Sequence, residues 1–147
     1  MIETIELPEL VIIGILVETP FEALPERIER AWRDLLAGET GATSFLAASL
    51  AIEDGQHREV VGYLGAHKTD VPEGMVKVVL PAQPYLRIAH DGPVGDIATA
   101  FKTLRAHAAA TGLKTSGVTL DFGYLRDGGD GRHELHVALA PEPLRLS

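Results

Sequence analysis

Apolar positions first gather in the β-branched run Leu10-Val11-Ile12-Ile13-Gly14-Ile15-Leu16-Val17, which reads as a central strand buried on both faces. The strand is drawn over 2–18 with a break at Pro8, whose missing amide proton suits an edge or a bulge. Phe21, Leu24, Ile28, Trp32 and Leu35 then recur at helical spacing, so a helix over 21–37 turns one apolar stripe to the core. Pro25 falls in its first turn and Gly38 at its end, the places where each residue costs least. Two strands follow, 44–53 and 58–67, joined by a turn at Asp54-Gly55-Gln56. A short strand from Met75 to Leu80 lies in the joining segment, and Pro81 and Pro84 bracket a bend.

The same order then returns. Residues 84–91 read as a strand and 94–111 as a helix, with Ile97, Phe101, Leu104 and Ala108 on its buried stripe. Strands 117–126 and 132–140 complete it, separated by a glycine-rich hairpin loop at Asp127-Gly128-Gly129-Asp130-Gly131 and stopped by Pro141 and Pro143. Along the first of these strands Leu120, Phe122 and Tyr124 alternate with Thr119, Asp121 and Gly123, so regular alternation puts Phe122 and Tyr124 on one face and Asp121 on the other. The order β-α-β-β is thus written twice, in halves of about 1–69 and 75–147 of a single domain. The expected fold is α+β, with duplicated β-α-β-β modules forming one antiparallel sheet of seven or eight strands and both helices on one face. Two such modules meeting about a pseudo-two-fold leave a seam, and a seam is a natural cleft for a small ligand.

Composition narrows function by exclusion. The 147 residues, 46% hydrophobic and 23% charged, suit one soluble globular domain with a sizeable core. There is no cysteine, which removes disulfides, thiolate metal sites and cysteine nucleophiles and fits a cytoplasmic location. The net charge is −8 and the 13 basic residues are scattered, so no direct contact with nucleic acid is expected. No apolar run is long enough to cross a bilayer, and no membrane role is expected.

Little in the chain resembles a catalytic or cofactor motif. No phosphate loop, nucleophile elbow or dinucleotide fingerprint occurs, and no cofactor is expected. His133 and His136 stand three apart, a spacing that sends them to opposite faces of a strand, so no metal site is expected there. The scarce aromatic residues are the better candidates. Trp32, Tyr85, Phe122 and Tyr124, with Phe101 as a fifth, are the expected lining of a ligand cleft, where ring faces hold flat or cationic molecules.

These residues carry a family resemblance. The chain resembles the GyrI-like small-molecule-binding superfamily, which includes the effector-binding domains of bacterial transcription activators, and it resembles a stand-alone member. The matching pieces are Ile5-Glu6-Leu7-Pro8 before the apolar strand, Ala31-Trp32 with Leu35 in the first helix, and Met75 through Tyr85. Ala89-His90-Asp91-Gly92-Pro93 leads into the second helix, and Leu120-Asp121-Phe122-Gly123-Tyr124 precedes the glycine-rich hairpin. The resemblance implies two modules related by a pseudo-two-fold with a groove between them. It also implies a carboxylate two residues before the cleft tyrosine, which contacts cations and in some stand-alone members opens cyclopropane-containing compounds. Here Phe122 stands at that place, and Asp121 beside it faces away on a regular strand. The expected function is therefore non-catalytic binding of a small hydrophobic or aromatic ligand, as a sensor or a sequestering protein. The alternatives are a small hydrolase of cyclopropanoid-type compounds and a gyrase-inhibitor-like domain that binds a protein partner through its acidic surface.

Overall fold

The computed structural model describes residues 1–38, 40–126 and 130–140. Among these residues eight strands and two α-helices run in the order β1 (Glu3–Leu7), β2 (Leu10–Pro20), α1 (Leu24–Ala37), β3 (Ser44–Glu53), β4 (Gln56–Gly65), β5 (Val76–Leu80), β6 (Gln83–His90), α2 (Ile97–Ala110), β7 (Thr115–Leu125) and β8 (Asp130–Leu139). They form one antiparallel sheet in the order β1-β6-β8-β7-β3-β4-β2-β5. The α+β class, the single sheet and the repeated β-α-β-β order all match the sequence pattern. Of the hairpin loop expected at 127–131, Asp130 and Gly131 already belong to β8, while residues 127–129 and the stops at Pro141 and Pro143 lie outside the described residues.

One expected strand divides in two. Pro8 and Glu9 separate β1 from β2, and the two pieces go to opposite ends of the sheet. β1 pairs with β6 of the second unit, whereas β5, which precedes β6, pairs with β2 of the first. Each unit thus receives its edge strand from the other, and β3 against β7 forms the seam at the centre.

Side-chain alternation sorts the core into two layers. On one face α1 packs Ala31 and Leu35 against Val17, Phe45 and Val61. On the same face α2 packs Ile97, Leu104 and Ala108 against Leu86, Leu135, Val137 and Leu139. Ala47 lies opposite Asp121, and Asp121 opposite Leu135, so the helix-bearing face runs unbroken across the seam. Among the described residues no helix covers the other face, yet Ile12, Leu46, Ala48, Val60, Leu120 and Ala138 are fully buried there. They share one cluster with Ile5 and Leu7 of β1 and Val76, Val78 and Leu80 of β5. A sheet buries such a face without a second layer only by curling until its ends meet, and the twist of a long antiparallel sheet supplies that curl.

Of the residues expected at the start of the first helical stripe, Phe21 departs: it sits in a short 3-10 turn before α1 and is 65% exposed. Its ring rests on His57 instead, with centroids 5.3 Å apart. The far end of α1 is held from the second unit. Arg126 donates from Nη1 to the carbonyls of Leu36 (3.3 Å) and Gly38 (3.4 Å), and from Nε to that of Ala42 (2.8 Å). A cation at these unpaired carbonyls is the favourable partner for a helix C-terminus.

Candidate functional site

β7 does not alternate regularly, and that decides the site. Its pairing slips between Phe122 and Tyr124 on the β8 side and between Phe45 and Leu46 on the β3 side. Against β3 the extra residue is Gly123, because Phe45 and Leu46 are adjacent while their partners Tyr124 and Phe122 are not. It has φ +132, and a Cβ built there would lie 2.7 Å from the Arg132 carbonyl oxygen and 2.8 Å from the His133 Cα. Only glycine meets both conditions. The bulge turns Tyr124 onto the face of Asp121 and Thr119. The expectation that Phe122 and Tyr124 share a face, with Asp121 opposed, is corrected here: an inserted residue reverses the alternation beyond it.

A cavity of about 150 Å³ follows on the helix-bearing face. Ile28 and Trp32 of α1 and Phe101 of α2 form its walls, and Ala47, Ser49, Glu59, Thr119, Asp121 and Tyr124 its floor. Trp32 lies on Tyr124, centroids 4.4 Å apart, and meets Phe45 edge-on. Of the five aromatic candidates, Trp32, Phe101 and Tyr124 meet here. Tyr85 and Phe122 do not. They sit on the helix-free face, Tyr85 fully buried, each with its ring against His136 at 5.8 and 5.3 Å. Phe122 also borders a separate 320 Å³ pocket near the start of β3.

The floor is acidic. Tyr124 donates its hydroxyl to Asp121 Oδ2 at 2.7 Å, and His133 Nδ1 donates to Asp121 Oδ1 at 2.6 Å. His133 is 2% exposed, and its ring stands edge-on to Tyr124. Ser49 donates to Glu59 Oε1 at 2.8 Å, and among the described residues no cation pairs with Glu59. Burial raises the Glu59 carboxyl above its ordinary range, outweighing the opposing pull of Ser49 and His57. Burial likewise raises Asp121 against its bonds from His133 and Tyr124. Tyr124 is pushed far up by burial and then by the Asp121 charge, so it remains a neutral donor.

Asp121 and Glu59 were both missed as floor residues in the sequence. A glycine directly before the tyrosine was the available signal for Asp121, because glycine within a strand marks a bulge. Glu59 carried none, being one of 21 acidic residues. The registers show its place afterwards. Ala47 pairs with Val61 and Asp121 with Leu135, so Glu59 and His133, each two residues earlier on its strand, hold equivalent positions in the two units. His133 and His136 do fall on opposite faces, as their spacing predicts. Among the described residues no group of three or more acidic or histidine side chains is placed to hold a metal ion. No helix among them is long and apolar enough to cross a membrane.

One antiparallel sheet with two helices on one face is the fold of a GyrI-like effector-binding protein. The chain belongs to the Cass2 family of integron-associated effector-binding proteins, whose pattern it matches over residues 3–138. No curated protein matches it by sequence. Among solved structures it is similar to SAV2435 bound to tetraphenylphosphonium, with a TM-score of 0.72 at 13% identity over 95% of this chain and 94% of that one. The C-terminal domain of EcmrR gives 0.67 at 14% identity, covering 95% and 97%. A hydrolase from Listeria innocua gives 0.58 at 14% identity, covering 95% and 91%. At such identities the likeness is one of fold.

Proposed function

We propose that the protein is an effector-binding module that captures a small aromatic cation in the cleft between α1 and α2. The observation that carries this reading is the half-buried Glu59 carboxylate, unpaired by any described cation, beneath the rings of Trp32, Tyr124 and Phe101. A buried carboxylate without a partner is costly, and a bound cation offsets that cost. Ring faces add apolar area and attract positive charge. The sequence pointed to a hydrophobic or aromatic ligand, and the acidic floor adds charge to that description. A relative of this fold holds tetraphenylphosphonium, an aromatic cation. A volume of 150 Å³ suits about one ring, so larger ligands require α1 and α2 to part. Sensing and sequestration both begin with this capture.

Trp32 is the sole tryptophan, so its fluorescence reports on the cleft directly. The test is a titration with tetraphenylphosphonium, followed by fluorescence and calorimetry. Saturable quenching that is lost in Glu59→Gln supports the reading; no saturable binding of any aromatic cation rejects it.

One observation favours a second reading, that of a small hydrolase. The Tyr124–Asp121–His133 chain of hydrogen bonds places an acid and a base on the cleft floor, with the buried His133 behind them as an orienting group. Turnover of a cyclopropane-containing alkylator above the buffer rate, lost in Asp121→Asn, would establish it.

A further inference from the structure

Two of the three floor hydroxyls have their hydrogens already spent. Tyr124 gives its one hydroxyl proton to Asp121, and Ser49 gives its own to Glu59. His133 gives its Nδ1 proton to the other Asp121 oxygen, so Asp121 accepts from both sides and keeps the Tyr124 proton engaged along the floor. What remains toward a ligand is the Tyr124 oxygen, the Ser49 oxygen and Glu59 Oε2, which has no partner among the described residues. All three are acceptors. The Thr119 hydroxyl turns to either role, and the walls contribute rings and the indole N–H of Trp32.

We infer that this cleft selects cations that carry N–H bonds, such as protonated amines and amidines, over quaternary onium ions. The inference rests on the cation-binding reading above and sharpens it to a ligand class. The ring walls attract either kind of cation, because attraction to a π face needs only charge. The floor separates them. A protonated amine loses several strong hydrogen bonds to water on entry, and the convergent acceptors restore them. A quaternary ion has no N–H to offer, so its entry leaves the Tyr124 and Ser49 oxygens desolvated and unpaired. Asp121 and Glu59 thereby divide the work. Glu59 meets the ligand, while Asp121, fixed by His133, sets the direction of the tyrosine hydroxyl.

The test compares benzylammonium with benzyltrimethylammonium, which share one ring and one charge and differ in N-methylation. Binding is followed by Trp32 fluorescence and by calorimetry at pH 7, with tetraphenylphosphonium as a reference. Benzylammonium should bind more tightly by about tenfold or more, the size expected for charge-assisted bonds. In Tyr124→Phe the ratio between the two affinities should fall toward unity, and Ser49→Ala should lower it independently. Thermal unfolding of each variant establishes that it is folded. Equal or tighter binding of the quaternary ion overturns the inference, as does a ratio unchanged in both variants. If tetraphenylphosphonium binds and benzylammonium does not, the selectivity falls while the cation-binding reading stands. If none of the three binds, both fall.

Discussion

Tyr124 donates its hydroxyl to Asp121 at 2.7 Å, although the two residues are three apart on one strand and regular alternation would set them on opposite faces. The bulge at Gly123 makes the contact, and with it the acidic floor. The resemblance expects a carboxylate two residues before the tyrosine, where Phe122 stands; Asp121, three before it, shares the tyrosine's face because of the inserted glycine.

Substituting Gly123 is therefore the sharpest test of the site's construction. Gly123→Ala forces a side chain into φ +132 and against the Arg132 carbonyl oxygen at 2.7 Å. A loss of about 2–4 kcal/mol in chemical denaturation is expected. In whatever folded fraction remains, the Trp32 emission should shift as Tyr124 turns away. A variant of unchanged stability and emission would refute the bulge.

Glu59→Gln should trade binding for stability. The wild-type carboxyl holds its proton more tightly in the folded state than its ordinary value of 4.5 implies. Its contribution to stability is thus present at low pH and is lost as pH rises through the raised value. At pH 7 the glutamine variant should melt about 2–4 °C higher. The gap should close as pH falls toward 4.5, while cation binding is lost throughout. A gap that widens on acidification would reverse the assigned sign.

Arg126 ties the C-terminus of α1 to the second unit through Leu36, Gly38 and Ala42. Arg126→Ala should cost about 1–3 kcal/mol, since it strands carbonyls that a charged donor had satisfied. Arg126→Lys should recover part of the loss, because one ammonium cannot reach as many carbonyls as the guanidinium fork. Urea unfolding of the three proteins decides it; a harmless alanine would show that water replaces the arginine fully.

Trp32 is half-buried against Tyr124 and lines the cavity, so its removal should damage binding more than folding. Trp32→Ala should weaken an aromatic cation by about tenfold or more by calorimetry. Trp32→Phe should retain most of the affinity, because a ring face remains. Stability lost in proportion to affinity would assign Trp32 to the core instead.

The chain's local pattern determined a great deal by itself. Helical spacing of Leu24, Ile28 and Leu35, and of Ile97, Leu104 and Ala108, suffices to predict both helices and the side each turns to the sheet. Strand alternation and the Asp54-Gly55 turn place most of the strands, though not the division of the first at Pro8 or the bulge at Gly123. These signals are local, because burying one stripe of a helix or one face of a strand constrains residues two to four apart. Tertiary structure alone decided the rest. The exchange of β1 and β5 between the units depends on pairing between distant segments, which leaves no periodic trace. The curl of the sheet sent Tyr85 and Phe122 inward, away from Trp32 and Tyr124, because an aromatic residue's type does not reveal which buried layer it joins. Glu59 reached the cleft through the β3–β4 register, and Asp121 through one inserted glycine. A register is a relation between strands, and its consequences for a site appear only when the strands are laid side by side.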